Sequence, residues 1–577
     1  MRREQEFRGR SVAVRRLTVC CLLISAVASG ETSIQTEAAS TELGQGIAEA
    51  LLGWLPPGLK EKSVPGAAVA VVDSQGPIRE EIYGYQEGSE SDPITWDTIF
   101  LIRSISKSVT ALGVLMAVQD GLVDLDTAIS EYLPELRIPS RFDERPETIM
   151  TLRHLLSHRA GFTHDPPVGI DLVQPGYFER YIERVSESWL RFPVGYRLHY
   201  SNYGYDLAGF ILQVRSGMPF ARYLQEKVLG PLGMADSSFD LGKVEYETDR
   251  AIGHGSGGNV VPIAFPEIAA AGLYSSIRDM SKYVQFHLND GVVDGQRLLR
   301  EDLMEQYHSI QFARPDQRTG YTLGLWREPV GSTFCLYHEG GGRGFASHMI
   351  LYPELGLGVV TLTNKEYQDL TGFSGRAVMR GPILNRYGPT PVADSRSEDM
   401  QRIDLRDPRL QAILGRYGDS PGVVIGFESG VLGLRAGDSQ FHPLSFYDDQ
   451  GELVGFYGST MEVRFLSPLG SRPGSMMTIN RAVSNSNSHY LDFNDSPTDR
   501  AGPDKSEWRA YVGEYDVLWE DEPTSTATIE VRNGYLYFRD GKCIEHEPGL
   551  FFLYDGEALD LRSARPTFAN QEIRRRP

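Results

Sequence analysis

The pattern of apolar and polar positions along the chain changes near residue 386. From about residue 45 to 385, long helical patterns alternate with glycine-bounded apolar runs, such as 348–352 and 355–363, that are typical of β-strands. The clearest helical pattern follows residue 104 and leaves almost no polar face, which predicts a buried helix. Its apolar positions are Val109, Leu112, Val114, Leu115, Met116 and Val118.

Beyond residue 386 the helical patterns nearly vanish, and short alternating runs are set off by Gly, Asp and Ser. Such runs predict antiparallel barrels or sandwiches. This region also repeats, because 414–417 resembles 512–515 and 429–435 matches 533–539, 104 positions further on. We predict two copies of one small β-barrel, at residues 405–484 and 507–577, divided by a polar linker over 484–506.

The first residues have the order of a secretory signal. Arg15 and Arg16 precede an apolar run over 17–28 that closes on Ala26-Val27-Ala28. We therefore predict cleavage after residues 1–28 and a secreted or periplasmic mature protein that is soluble, since no later apolar segment approaches the length of a membrane span. A mitochondrial presequence is the alternative, and Glu4 and Glu6 weigh against it.

Composition excludes two classes of protein. The 577 residues are 41% hydrophobic and include 25 Phe, 28 Tyr and 6 Trp, which is enough for packed cores and excludes a disordered chain. The formal net charge of −20 argues against nucleic acid as a partner, because neutralising phosphates needs a basic surface.

Candidate chemistry begins at Ser104-Ile-Ser-Lys107, where the buried helix starts. Residues i and i+3 share a helix face, so the Ser104 hydroxyl and the Lys107 amine can meet. A lysine can activate a serine nucleophile if its pKa is depressed, and both burial and the positive end of a helix disfavour the ammonium form. The alternative is a helix start at which Ser104 caps and Lys107 is solvated.

Two further motifs follow in order. Tyr200-Ser-Asn202 ends a turn-rich stretch before the apolar helical pattern over 206–214, and His338-Glu-Gly340 begins a glycine-rich turn before two strand-like runs. S-x-x-K, Y-x-N and H-x-G, in this order and within about 240 residues, form a specific constellation.

On these motifs, residues 45–385 resemble the serine hydrolases related to class C β-lactamases, D-alanyl-D-alanine peptidases and family VIII esterases. The resemblance implies an α+β, β-lactamase/transpeptidase-like catalytic domain, with an antiparallel sheet flanked by helices and a helical subdomain. Two small barrels behind such a domain resemble the architecture of bacterial D-aminopeptidases. The alternative is that the barrels are packing modules without chemistry.

The resemblance also implies roles for single residues. Ser104 would be the acylating nucleophile, Lys107 its base, and Tyr200 the group that delivers a proton to the leaving group. Asn202 would bind the acyl side of the substrate, although it could instead cap the following helix. The backbone N–H groups of Ser104 and Gly341 would form the oxyanion hole.

The H-x-G motif departs from the Lys-Thr-Gly that β-lactamases usually have. His338, Glu339 and Gly340 replace a fixed cation with a group that is mostly neutral at pH 7, and a hydroxyl with an acid. Glu339 would repel a substrate carboxylate if it faced the cleft. Arg343 could restore the positive charge, or it could be a solvated loop residue.

Other motifs are weaker. Gly418-Asp-Ser420-Pro-Gly422 matches the G-x-S-x-G nucleophile elbow, but the residue after the serine is Pro421, which has no N–H for an oxyanion hole. His154 and His158 lack the glutamate of a zincin motif. No metal or cofactor is predicted. Cys335 and Cys543 lie in different predicted domains, so a disulfide between them is possible but unsupported.

The sequence thus predicts a serine hydrolase acting on small esters, amides or D-amino-acid peptides, of esterase or D-aminopeptidase type. The alternatives are D-alanyl-D-alanine carboxypeptidase or β-lactamase-like activity, and a penicillin-binding sensor without turnover. An intact Ser104, Lys107 and Tyr200 set argues against the sensor. Oligomeric state is left open.

Overall fold

The computed structural model describes residues 42–576 except 54, 89–90, 165–184, 262, 264–267, 314–317, 343, 367–381, 385–387, 389–400, 418–422, 437–439, 450–451, 458–460, 467–475, 482–483, 495–504, 520–521, 533, 540, 554–556 and 570. The predicted signal segment, Arg343 and the 418–422 motif lie outside the described residues. In the part of the chain described, no helix combines the length and apolar character needed to cross a membrane.

A seven-stranded antiparallel sheet organises the first part of the chain. Its central strands are buried on both faces, which is why they read as continuous apolar runs. The strands are β1 (Gly66–Asp73), β2 (Gly76–Gly84), β7 (Gly320–Tyr321), β8 (Trp326–Val330), β9 (Thr333–Gly342), β10 (Phe345–Tyr352) and β11 (Leu357–Thr363). Their spatial order is β2-β1-β11-β10-β9-β8-β7. Short pairs join β3 (Phe100–Leu101) to β4 (Tyr274–Ser275), and β5 (Val292–Val293) to β6 (Gln296–Arg297).

Helices cover both faces of this sheet. One face packs against α1, residues 42–53 with helical residues again at 55–61. The other face joins the main hydrophobic core around α2 (Ser106–Gln119), whose residues 106–117 are all buried. Other helices in the described part of the chain are α3 (Leu152–Leu156), α4 (Asn202–Ser216), α5 (Phe220–Leu224), α6 (Leu241–Glu245), α7 (Ile268–Ala271), α8 (Ile277–Leu288), α9 (Glu301–His308) and α10 (Pro408–Ala412). The predicted sheet flanked by helices is confirmed.

Two all-β units follow. The first is a ten-stranded antiparallel sheet formed by β12 (Gln401–Arg402), β13 (Gly415–Tyr417), β14 (Val423–Glu428), β15 (Val431–Ala436), β16 (His442–Pro443), β17 (Ser445–Asp449), β18 (Glu452–Tyr457), β19 (Met461–Leu466), β20 (Met476–Arg481) and β21 (Ser484–Asn494). The second is a closed barrel of β22 (Gly513–Trp519), β23 (Glu522–Arg532), β24 (Tyr535–Phe538), β25 (Gly541–Glu547), β26 (Leu550–Leu553), β27 (Ala558–Asp560), β28 (Thr567–Phe568) and β29 (Gln571–Arg575).

The sequence repeat corresponds to a repeat of structure. In the first unit the Tyr417 hydroxyl donates to the Ile413 carbonyl at 3.0 Å, and in the second the Tyr515 hydroxyl donates to the Tyr511 carbonyl at 2.7 Å. Both contacts reach back four residues, from a strand (β13 or β22) to the C-cap residue of the short helical segment before it. Equivalent tyrosines therefore close the same corner in both units.

The predicted start of the linker is wrong. The polar linker predicted over 484–506 begins too early, because residues 484–494 form β21, which pairs with β20 and β13 and completes the first sheet. Its polar composition hid a strand whose backbone bonds do not depend on apolar side chains. Cys335 and Cys543 do not form the possible disulfide, because they are buried in separate hydrophobic cores.

Candidate active site

Ser104 lies on a tight turn rather than inside a regular helix. Residues Arg103–Ile105 form a 3₁₀ turn that runs directly into α2, so the predicted one-turn relation to Lys107 is kept. Arg103 has a φ of +52°, a left-handed conformation that costs a non-glycine residue roughly 1–2 kcal/mol. Ser104 stays half-buried while the α2 residues after it are fully buried. The strained turn thus leaves the Ser104 hydroxyl partly accessible at the start of a buried helix.

The Lys107 amine is fully buried and contacts three oxygens. Its Nζ lies 3.1 Å from Ser104 Oγ, 2.7 Å from Asn202 Oδ1 and 3.0 Å from the Ala270 carbonyl oxygen. The amide and carbonyl oxygens only accept, so they hold two N–H bonds in either protonation state. The nitrogen also lies within hydrogen-bond distance of Ser104 Oγ. A proton can therefore pass between the serine hydroxyl and the lysine amine.

Tyr200 and Asn202 close the other side of this lysine. The Tyr200 ring centroid is 4.8 Å from Lys107 Nζ. Ser201 is the N-cap of α4, since its hydroxyl accepts from the Gly204 N–H at 3.2 Å. Asn202 is therefore not the cap, which was the alternative reading of this residue. It instead begins the helix and offers its side-chain oxygen to Lys107.

The backbone carbonyl beneath Lys107 is held in place by a buried acid that sequence reasoning missed. Asp206, on α4 and fully buried, accepts through Oδ1 from the N–H groups of Ala269 and Ala270 at 2.8 and 3.0 Å. Thr110 donates to the Ala269 carbonyl at 2.7 Å. The only sequence signal for Asp206 was an acid within an apolar helical pattern.

His158 is a second residue that was missed, because its sequence context suggested only a failed zinc motif. Its Nδ1 accepts from the Ser201 N–H at 3.0 Å, and its ring lies 4.2 Å from the Tyr200 ring. Burial, and then the charge of Lys107, hold the pKa of His158 well below its usual range. A neutral imidazole thus holds the Y-x-N segment through the Ser201 backbone and the Tyr200 ring.

His338 faces the same site from β9. Its Nδ1 lies 2.7 Å from the Glu339 carbonyl, which can only accept, so Nδ1 carries the proton and Nε2 accepts from the Tyr321 hydroxyl at 2.9 Å. Burial, and then Lys107, lower the pKa of His338 to about 3. Its ring centroid is 6.1 Å from that of Tyr200. A neutral ring therefore faces the site from β9.

Glu339 does not share that face. Side chains alternate along β9, so His338 turns toward the main core while Glu339 is exposed on the opposite side of the sheet. The condition under which Glu339 would repel a substrate carboxylate is therefore not met.

Gly340 and Gly341 differ in their surroundings. A Cβ on Gly340 would lie 2.2 Å from the Ile102 carbonyl and 2.3 Å from Ser347 Oγ, whereas one on Gly341 would meet nothing within 4 Å. Arg103 Nε donates to the Gly341 carbonyl at 3.3 Å. Gly340 thus lets β9 pack directly on the Ser104 turn. The oxyanion role of the Ser104 and Gly341 N–H groups stays a prediction.

The described residues therefore bring Ser104, Lys107, Tyr200, Asn202 and His338 together. No cluster of three or more metal-binding side chains occurs among the described residues.

Residues 51–379 match the family model described as Beta-lactamase. The chain belongs to the β-lactamase family. This match covers more than half of the chain and confirms the resemblance and the predicted fold class, and members of this family are generally serine hydrolases.

The relatives of this β-lactamase family chain are distant. Beta-lactamase-like protein 2 of Dictyostelium discoideum is 25% identical over 417 residues, which are 68% of this chain and 75% of that protein. Protein flp of Staphylococcus aureus (strain COL) is 25% identical over 315 residues, 53% of this chain, and the match spans 61% of its length. A solved structure, that of the octameric penicillin-binding protein homologue from Pyrococcus abyssi, has a TM-score of 0.49 and 23% identity, over 78% of this chain and 98% of that chain.

Proposed function

We propose that this protein is a hydrolase that forms an acyl-enzyme on Ser104 and cleaves small neutral esters or D-amino-acid amides. The observation that carries the reaction type is the buried Lys107 amine, 3.1 Å from Ser104 Oγ and held by two oxygens that only accept. A serine needs an adjacent base to become a nucleophile, and this arrangement supplies one.

The proposed roles of the other residues follow from their positions. Lys107 takes the proton of Ser104 as the hydroxyl attacks the carbonyl carbon. Tyr200, stacked beside Lys107, returns a proton to the leaving group and later activates the deacylating water. The Ser104 and Gly341 N–H groups stabilise the oxyanion, and Asn202 binds the acyl side of the substrate.

The proposed substrate class rests on His338. A ring with a pKa of about 3 is neutral at physiological pH and cannot bind a substrate carboxylate by charge. A charge-assisted hydrogen bond contributes roughly 1.5–3 kcal/mol, so its absence lowers the affinity for penicillins about tenfold to hundredfold. The H-x-G motif and the paired barrels favour the D-aminopeptidase type, and short-chain esters fit the same neutral site.

A labelling experiment tests the nucleophile. Ser104→Ala is expected to abolish hydrolysis and labelling by a fluorophosphonate, whereas Ser420→Ala changes neither, because Pro421 removes the donor that an elbow at Ser420 would need. Mass spectrometry of the labelled peptide checks this. Label on Ser420 in place of Ser104 contradicts the assignment.

A substrate profile tests specificity. The wild type is expected to cleave p-nitrophenyl acetate or D-alanine p-nitroanilide with a kcat/KM at least tenfold above that for a chromogenic cephalosporin. His338→Lys is expected to shift this ratio toward the cephalosporin, and His338→Gln, a neutral control, is not. Efficient cephalosporin turnover by the wild type, or equal ratios in the Lys and Gln variants, would refute the proposed role of His338.

Export belongs to the same proposal. The signal over residues 1–28 supports a secreted or periplasmic enzyme. N-terminal sequencing of the mature protein, with cleavage expected after Ala28, tests it.

A further inference from the structure

The second barrel contributes a side chain to the region behind the active site. Glu557, just before β27, is buried against the catalytic unit. Its Oε1 accepts from the Thr163 hydroxyl at 3.0 Å and forms an ion pair with Arg191 Nη1 at 2.8 Å. These residues lie 366 to 394 positions from Glu557 in sequence, so only the docking of the barrel brings them together.

Hydrogen bonds through Arg191 and His199 connect Glu557 to Tyr200. Arg191 Nη1 lies 2.7 Å from His199 Nε2, and a guanidinium can only donate, so Nε2 accepts. Burial, and then Arg191, keep the pKa of His199 well below its usual range, so the ring is neutral and its proton is on Nδ1. Nδ1 in turn donates to the Tyr200 carbonyl at 3.2 Å.

A second connection runs from the same carboxylate through Thr163 to the backbone of Asn202. The Thr163 carbonyl accepts from the Ser201 hydroxyl at 2.7 Å, and the carbonyl of the next residue, His164, accepts from the Asn202 N–H at 2.8 Å. Glu557 Oε1 therefore contacts both Arg191 and Thr163. Each of these two residues leads by hydrogen bonds to the segment Tyr200–Asn202.

We propose that Glu557 is a positioning residue for acyl transfer, so that the second barrel is part of the catalytic unit and not only a packing module. This inference rests on the proposed function of Ser104. The physical reason is that proton transfer by Tyr200 requires hydrogen-bond geometry, and a displacement of about 1 Å from a distant change can cost about 10²-fold in rate.

The second barrel also contacts the catalytic unit through residues other than Glu557. The role of Glu557 can therefore be tested without removing the whole interface. Arg141 lies over the Phe552 ring at 3.9 Å, and Trp189 meets Phe552 edge to face at 5.5 Å. A substitution at Glu557 alone therefore leaves the apolar part of this interface in place.

The experiment compares full-length Glu557→Ala and Glu557→Gln with a matched control, Glu572→Gln. The Glu572 side chain is 11% exposed, as is that of Glu557, but its ion pairs are with Arg565 and Arg574 of the barrel itself. Titration of Ser104 with a fluorophosphonate counts active sites, so that kcat is expressed per labelled site and unfolded protein does not contribute.

Glu557→Ala is expected to lower kcat per labelled site at least tenfold with KM changed less than twofold, on whichever substrate the wild type cleaves. Glu557→Gln keeps an acceptor oxygen and should lose less, and Glu572→Gln should match the wild type. Thr163→Val approaches the contact from the catalytic side, and its loss should not add to that of Glu557→Ala.

The outcomes separate this inference from the proposed function. Wild-type kcat per labelled site in both Glu557 variants overturns the positioning role while leaving acylation of Ser104 intact. Equal losses in the Glu557 and Glu572 variants also overturn it, because they indicate a general effect on the barrel. A wild type that neither labels at Ser104 nor hydrolyses any substrate overturns the proposed function itself. If Glu557→Ala does not fold, Thr163→Val with Glu557→Gln supplies the same test.

Discussion

At the scale of single residues, the chemistry depends on an amine that water does not reach. Lys107 is completely buried, and Asn202 and Ala270 supply the oxygens that replace its hydration. Because these oxygens belong to α4 and α7, two elements hold the lysine in place. Its nitrogen also lies 3.1 Å from Ser104 Oγ.

Lys107→Ala is expected to reduce the rate of Ser104 acylation by several orders of magnitude, because base and nucleophile act as a unit. Lys107→Arg should rescue little, since a guanidinium cannot give up its proton and has no space in a site built around one nitrogen. Stopped-flow labelling by a fluorophosphonate measures the rate. An Arg variant of near wild-type rate would show that the base lies elsewhere.

At the scale of elements, the site depends on how closely β9 approaches the turn that carries Ser104. Gly340 permits this approach because its hydrogen takes the place of a Cβ that would overlap Ile102 and Ser347. Arg103, strained at φ +52°, belongs to the same contact. The turn and the strand therefore fix one another.

Gly340→Ala is expected to lower kcat/KM at least a hundredfold, because β9 must move away from the Ser104 turn and carries the predicted oxyanion donor with it. Gly341→Ala is the matched control, since its Cβ meets nothing within 4 Å and its φ is not in the left-handed region. Assays on p-nitrophenyl acetate measure both. Similar activities in the two variants would contradict this account.

At the scale of the whole molecule, the catalytic unit buries several neutral histidines. Burial lowers the pKa of His308 and His338 to about 3 and that of His154 to about 4. His308 Nε2 lies 2.9 Å from Nδ1 of the buried His287, and the positive charge of Arg327 further disfavours protonation of His308. In the folded protein these histidine rings are therefore neutral near pH 7.

Stability is therefore expected to fall as the pH decreases from about 6.5 toward 3. A histidine with a depressed native pKa contributes its full stability above the unfolded pKa, near 6.5, and loses it as the unfolded chain takes up protons that the native state does not. Each such group adds a slope of about 1.4 kcal/mol per pH unit in this window.

Urea unfolding of the full chain at several pH values measures this effect. His308→Gln should show a shallower loss of stability between pH 6 and 4 than the wild type, with activity at pH 7.5 unchanged. Parallel curves for the two proteins would contradict the contribution of His308, whatever the carboxylates contribute to both.

What the sequence determined by itself was set by local spacing and by order along the chain. Ser104 and Lys107 meet because a helical turn places positions i and i+3 on one face. The repeat of the two all-β units was visible because both copies kept the same turn residues. The family and the α+β fold followed from the order of S-x-x-K, Y-x-N and H-x-G.

What only the tertiary structure decided were contacts between segments far apart in sequence. The side on which Glu339 stands depends on strand register, and β21 was hidden because its polar residues pair through the backbone. The Ala270 carbonyl, Asp206, His158 and Glu557 reach the site from different elements and, for Glu557, from another domain. No local pattern marks such residues, because their role exists only after the chain has closed around them.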